Sequence, residues 1–280
     1  MVAILPALFV LCRGKHARIS QRSSSHPWHL VNCAESRKHG RDRHLFDELF
    51  ERQIPVSESE TLRGKEMKSF AINDGDTILF IGDSITDCGR RDTHVPLGDG
   101  YVSIFSELVT ARYPERKIRY INKGIGGETI VDLQRRWHDD VLRQRPDKLV
   151  IKIGINDLHR YLNNDPDRRV PPDCYAAVFD ELLQLTQTEL GCPVLLLSPF
   201  YISTDTGPGQ HKAVLEQLPA YIETVERMAE KYDTGLVNLQ DIFQRHQQFR
   251  DPDYFCPEPV HPGRSGHLVM ALAVFDAWSQ

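Results

Sequence analysis

Apolar positions change rhythm near residue 72, and the change divides the chain. From Thr77 onward, short apolar runs alternate with longer stretches whose apolar residues recur every three or four positions. That alternation predicts buried parallel strands separated by amphipathic helices. Strands are expected at residues 77–82 (TILFIG), 117–122 (KIRYIN), 148–154 (KLVIKIG), 193–198 (PVLLLS) and 235–239 (GLVNL). Each is short and mostly β-branched or leucine-rich, as strands covered on both faces require. Helices are expected at residues 100–112, 129–144, 172–190, 212–232, 240–249 and 265–278. The fourth has the clearest stripe, with Val214, Leu218, Tyr221, Ile222, Val225, Met228 and Ala229 on one face; these are core positions. Right-handed crossovers then give an α/β fold, a doubly wound (flavodoxin-like) three-layer sandwich with a five-stranded parallel sheet. Ligands of such a fold bind beyond the carboxyl ends of the strands.

The first 66 residues follow neither rhythm. Val2 to Cys12 form an apolar run, but no basic residue precedes it and no A-x-A pattern follows, as a secretory signal would need. The run is also too short to span a bilayer. Residues 13–66 are rich in Arg, His and Ser, with helical spacing only around Leu45, Phe46, Leu49 and Phe50, and are expected to be disordered. A sharper expectation is that the protein starts at Met67, since Leu62 to Glu66 can be encoded by purine-rich codons like those of an upstream ribosome-binding site. Residues 1–66 are then a disordered or non-native extension and 67–280 the folded domain; a poorly formed export signal is the alternative.

Charge sharpens this division. The net charge is −5, yet residues 1–66 hold 11 Lys and Arg against 8 Asp and Glu, while the remainder holds 23 against 31. An acidic domain argues against nucleic acid as substrate, because phosphate binding needs clustered cations. The pairs Arg90-Arg91 and Arg168-Arg169 read as solvated loop charges. Six cysteines, at positions 12, 33, 88, 174, 192 and 256, form no CxxC pair. Free thiols and a reducing compartment follow from that spacing, so a cytoplasmic location is expected, with export as the alternative.

Four short blocks fall at the predicted strand ends or in the last loop: Gly82-Asp83-Ser84-Ile85-Thr86, Asn122-Lys123-Gly124-Ile125-Gly126-Gly127, Gly154-Ile155-Asn156-Asp157 and Glu258-Pro259-Val260-His261. They supply a hydroxyl, amide donors, a carboxylate and an imidazole, the parts of an acyl-transfer site. Each has a plainer reading. Asp83 and Ser84 can cap a helix, and Asn156-Asp157 can be a local turn. A dinucleotide loop would need glycine where Thr129 stands, and no G-K-[ST] phosphate loop occurs. His261 lies between Pro259 and Pro262, which excludes helix and biases it to an extended conformation. Glu258 can reach back across that turn to one ring nitrogen, leaving the other to face Ser84. His267 falls in the last helical pattern, where a packed or surface histidine is expected. A metal site on Glu258, His261 and His267 lacks the usual zinc-ligand spacing.

Taken together and in order, the blocks resemble those of the SGNH hydrolases of the GDSL esterase/lipase superfamily, over roughly residues 76–278. By that resemblance Ser84 is the nucleophile and His261 the base. Gly127, Asn156 and the Ser84 backbone amide are the oxyanion donors. The family's usual aspartate is replaced by Glu258, which implies either a full triad or a Ser-His dyad supported by a backbone carbonyl.

The expected reaction is hydrolysis of a carboxylic ester through an acyl-enzyme on Ser84, with no metal or organic cofactor implied. Its partner is a small-molecule ester; neither nucleic acid nor a membrane span is expected, and no sequence feature specifies an oligomeric state. The expected walls, residues 88–99, 158–171 and 201–211, are polar and poor in large apolar residues. They favour a short acyl group, such as acetyl on a carbohydrate, over a fatty chain. Lysophospholipase or thioesterase activity is the alternative the resemblance leaves, and a carbohydrate-binding module without catalysis is the rival from another class.

Overall fold

A computed structural model of the chain describes residues 71–203 and 207–279. The expectations for residues 1–66 lie outside the described residues. The fold runs β1 (Thr77–Gly82), α1 (Ser84–Asp87), α2 (Tyr101–Arg112), β2 (Arg119–Gly124), α3 (Ile130–Asp140), β3 (Lys148–Lys152), α4 (Ile155–Leu162), α5 (Pro172–Glu189), β4 (Val194–Leu197), α6 (Gln210–Tyr232), β5 (Gly235–Val237), α7 (Leu239–Gln247) and α8 (Arg264–Ala277). The five strands are all parallel, in the order β2-β1-β3-β4-β5. This is the doubly wound sheet expected from the hydrophobic rhythm. It changes winding direction between β1 and β3, which opens a crevice at their carboxyl ends.

Helices cover both sides of the sheet. On one, α2 packs against α8; on the other, α3 packs on α5 and α5 on α6. Phe80 of β1 meets Tyr101 and Phe105 of α2 edge to face, at centroid distances of 5.9 and 5.6 Å, an arrangement aromatic rings favour. Across the sheet, buried Trp137 of α3 donates its indole N–H to Thr186 Oγ1 of α5 at 3.1 Å. A large side chain is thereby buried with its polar atom satisfied.

Several boundaries depart from the sequence reading. β2 is shifted two residues along the chain, and β3 stops at Lys152. Gly154, at φ +132°, turns the chain out of the strand as only glycine readily does. The chain then enters α4, so the expected 158–171 loop is helical through Leu162. The 129–144 helix divides into α3 and a separate 3₁₀ turn, Leu142–Gln144. Strand β5 lies at the sheet edge with Gly235 and Leu236 exposed, so burial on both faces holds for the central strands alone.

Candidate active site

Strand β1 delivers its last residues into a tightly built corner. A Cβ on Gly82 would lie 2.1 Å from the carbonyl oxygen of Lys152, so only hydrogen fits between β1 and β3. Asp83 caps α1, its Oδ1 accepting the Ile85 N–H at 3.0 Å, which satisfies an otherwise orphaned amide. Its Oδ2 accepts from Lys152 Nζ at 3.2 Å, and both side chains are fully buried. Desolvation lowers the Lys152 pKa, with Asp83 opposing the shift. Asp83 thus takes the capping role, and Ser84 becomes the first residue of the helix. Its hydroxyl stands 2.7 Å from Nε2 of His261.

His261 is carried by the loop between the 3₁₀ turn Pro252–Tyr254 and α8. Glu258 closes that loop on itself. Its Oε1 meets His261 Nδ1 and also accepts the His261 backbone N–H at 2.8 Å, while Oε2 accepts the Val260 N–H at 3.2 Å. A carboxylate on Nδ1 puts the proton there and leaves Nε2 free to accept from Ser84. The imidazole and carboxylate are about half exposed, at 56% and 50%, so fixed geometry must orient them more than burial does. Backbone contacts supply it: Ile202 donates to the Pro259 carbonyl at 2.9 Å, and Gly263 to that of Phe255 at 2.8 Å.

The amide-rich segment after β2 is held from several directions. Gly124 abuts α1 so closely that a Cβ would lie 2.3 Å from the Asp87 nitrogen. Asn122 donates to the carbonyls of Thr86 and Leu97 at 2.6 and 2.7 Å and accepts from the Gly124 N–H at 2.8 Å. Asp87 Oδ2 accepts from Gly126 N–H at 3.2 Å and from Arg91 Nε at 2.8 Å. Asn156, at the start of α4, donates to the Glu128 carbonyl at 3.0 Å, which leaves its second amide hydrogen for a ligand. Asp157 is fully buried and accepts the Ile130 N–H at 2.9 Å; burial pushes its carboxyl up to about 7. Between these anchors Gly127 takes φ +78° and faces open space.

Sequence reasoning named the block containing Asn122 without assigning that side chain its clamping role. The arginine pairs are mostly solvated, as read, but two of their members do more. Arg90 is partly buried and donates to the Gly124 carbonyl at 2.7 Å. Arg168 reaches the Gly127 carbonyl at 3.3 Å and Asp132 at 2.8 Å. Both belong to the frame of the glycine segment and are not free solvated charges. For Arg90 the signal was its place just after the Ser84 block; Arg168, eleven positions past Asp157, offered none.

His267 is packed, as its helical position suggested. Buried at the start of α8, its Nδ1 accepts the Tyr101 N–H at 3.2 Å, so the neutral ring donates from Nε2 to Cys88 Sγ at 3.2 Å. Burial lowers its pKa to about 4. One imidazole therefore joins the carboxyl end of α1, the amino end of α2 and the helix that follows the His261 loop. Both ring nitrogens are engaged within the protein, away from the metal set considered above.

The described residues thus bring a hydroxyl, an imidazole and a carboxylate into one hydrogen-bonded line, beside a backbone segment shaped to offer amides. Such a line can move a proton off the hydroxyl as its oxygen attacks a carbonyl carbon. A family model described as the GDSL-like Lipase/Acylhydrolase family matches residues 80–269. An acetylxylan esterase from Geobacillus stearothermophilus is 36% identical over 209 residues, 72% of this chain and 93% of that protein. The crystal structure of Axe2, an acetylxylan esterase from the same organism, superposes with a TM-score of 0.68 at 35% identity, covering 74% of this chain and 96% of its own. Catalytic mutants of Axe2 with a serine, an aspartate or a histidine replaced by alanine match equally well. LAE5, an alpha/beta hydrolase enzyme from the metagenome of Lake Arreo, Spain, has a TM-score of 0.68 at 33% identity, covering 75% and 98%.

Proposed function

The chain belongs to the GDSL-like lipase/acylhydrolase family and is a carboxylic ester hydrolase; from that premise we propose that it removes short acyl groups, acetyl above all, from carbohydrates through an acyl-enzyme on Ser84. The observation that carries this reading is the 2.7 Å contact between Ser84 Oγ and His261 Nε2, with Glu258 on the far nitrogen of the ring.

In the proposed reaction, Oγ bonds to the acyl carbon while its proton passes to Nε2. The negative charge that develops on the carbonyl oxygen is met by the amides of Ser84 and Gly127 and by the Asn156 side chain. Collapse breaks the bond to the alcohol, which leaves with the proton held by His261. Water then attacks the acyl-enzyme, again giving its proton to His261, and Ser84 recovers that proton as the acid departs. Glu258 keeps the proton on Nδ1 and favours the imidazolium that forms in each step. Glutamate fits because it spans a three-residue turn while still accepting two backbone amides of that turn.

The short-acyl assignment draws on the polar walls and on the acetylated polymer named for the relatives. Hydrolysis of p-nitrophenyl acetate is expected to exceed that of the octanoate by about tenfold or more in kcat/KM, the discrimination of a site without an apolar channel. A preference for octanoate would favour the lysophospholipase or thioesterase alternative. A fluorophosphonate probe is expected to label Ser84. An unlabelled, inactive protein would return the carbohydrate-binding module as the better account.

A further inference from the structure

The geometry points to His159 as a specificity-determining residue that hydrogen-bonds a neutral hydroxyl of the sugar on the alcohol side of the ester; this deepens the esterase reading and rests on it. The nitrogen that takes the proton of Ser84 must return it to the departing alcohol, so the sugar lies beside Nε2 of His261. His159 stands on α4 one helical turn after Asn156, on the same face. It therefore lies near the proposed oxyanion donor. Desolvation lowers its pKa, with Glu258 opposing the shift, so the ring is neutral near pH 7.

The ring is also held in place. Tyr201 packs edge-on against it, at a centroid distance of 6.0 Å and an angle of 89°. Tyr201 is in turn fixed by its backbone N–H to Gln240 Oε1 at 2.9 Å and by its hydroxyl to His211 Nδ1 at 2.6 Å. The next residue, Ile202, bonds to Pro259 within the loop that carries the base. Among the described residues, no hydrogen bond engages the ring nitrogens of His159. A neutral imidazole carries one donor and one acceptor, which is what a sugar hydroxyl can both use. An anionic alcohol would call for a cation instead, and a fatty one for apolar walls.

The test compares acetylated xylobiose with p-nitrophenyl acetate, whose alcohol has no neighbouring hydroxyl, using the full chain. His159→Phe keeps a ring against Tyr201 and removes the hydrogen bonds; His159→Gln keeps a donor and an acceptor. In His159→Phe the kcat/KM ratio of sugar ester to p-nitrophenyl acetate is expected to fall about tenfold, the worth of one lost hydrogen bond with its partner left bare. A bond made equally in ground and transition states shows in KM, so the fall should be carried by KM on the sugar ester. His159→Gln is expected to lose about threefold or less, and His159→Leu, which also lacks both polar groups, takes the place of the phenylalanine variant if that one does not fold. A ratio unchanged in both variants, or equal kcat losses on both esters, overturns the proposal. So does a wild-type chain that cleaves p-nitrophenyl acetate but not the sugar ester, a result that leaves the esterase reading standing. A wild-type chain inactive on both overturns the two together.

Discussion

At the scale of single residues, the line Ser84–His261–Glu258 sets the sharpest expectations. Ser84→Ala and His261→Ala are each expected to reduce kcat by about 10⁴-fold or more on any ester, because in the proposed reaction each removes a group that bonds to or exchanges a proton with the reacting atoms. Glu258→Gln should leave more activity, with a loss about ten- to a hundredfold smaller, since backbone contacts still hold the loop although the amide no longer fixes the proton on Nδ1. Steady-state rates on p-nitrophenyl acetate check all three. Losses of equal size would mean the carboxylate is as indispensable as its partners. Ser84 and His261 were legible in the chain because short blocks with fixed neighbours announce them. Lys152 was not: it reads as an ordinary strand residue, and only the pairing of β1 with β3 reveals it buried against Asp83.

Between residues and the whole fold, His267 shows how an element is fastened to the site. It bonds Tyr101 of α2 and Cys88 beside α1, so α8 and its preceding loop are tied to the helix that Ser84 opens. In an unfolded chain this ring takes up a proton near pH 6.5, in the folded one only near 4. Acidification through that window therefore favours unfolding: the stability is whole above about 6.5 and is lost as pH falls toward 4. The loss is on the order of 3 kcal/mol. Melting temperatures measured from pH 8 to 4 should fall across it, and His267→Gln should flatten that fall while lowering the melting temperature at pH 8. A second expectation concerns α6, which contains an exposed proline, Pro219, in its interior. Pro219→Ala restores the missing N–H to the helical ladder and should stabilise the fold by roughly 1–2 kcal/mol, net of unfolded-state entropy. An unchanged or lowered melting temperature would show that the helix has adapted to the proline. Helix α4 was the element the sequence hid. Its opening Gly-Ile-Asn-Asp reads as a turn, and the helix is decided by the placing of Gly154 and by the packing of α4 on α6.

For the molecule as a whole, every residue of the proposed reaction lies beyond Met67, and the described chain begins with Ala71 donating to the carbonyl of Trp278 at 2.7 Å. A chain starting at Met67 is accordingly expected to keep its full rate on p-nitrophenyl acetate, within about twofold. A large loss would assign residues 1–66 a part in the folded enzyme, and peptides from that stretch in the native protein would overturn the expectation that translation starts at Met67. Among the described residues, no helix is long and apolar enough to cross a membrane. The order and winding of the sheet bring the ends of β1, β2 and β3 together, and with them Ser84, the glycine segment and Asn156. By itself, the chain's pattern determined the alternation of strands and helices, the parallel sheet and the family blocks, because periodicity and turn chemistry are local properties. Which side chains meet across 177 positions, as Ser84 and His261 do, was decided by tertiary structure alone. So were the burial of Lys152 and Asp157, the clamping of the glycine segment by Asn122, and the packing of His159 against Tyr201. Those depend on distances between elements, which packing sets and no local pattern encodes.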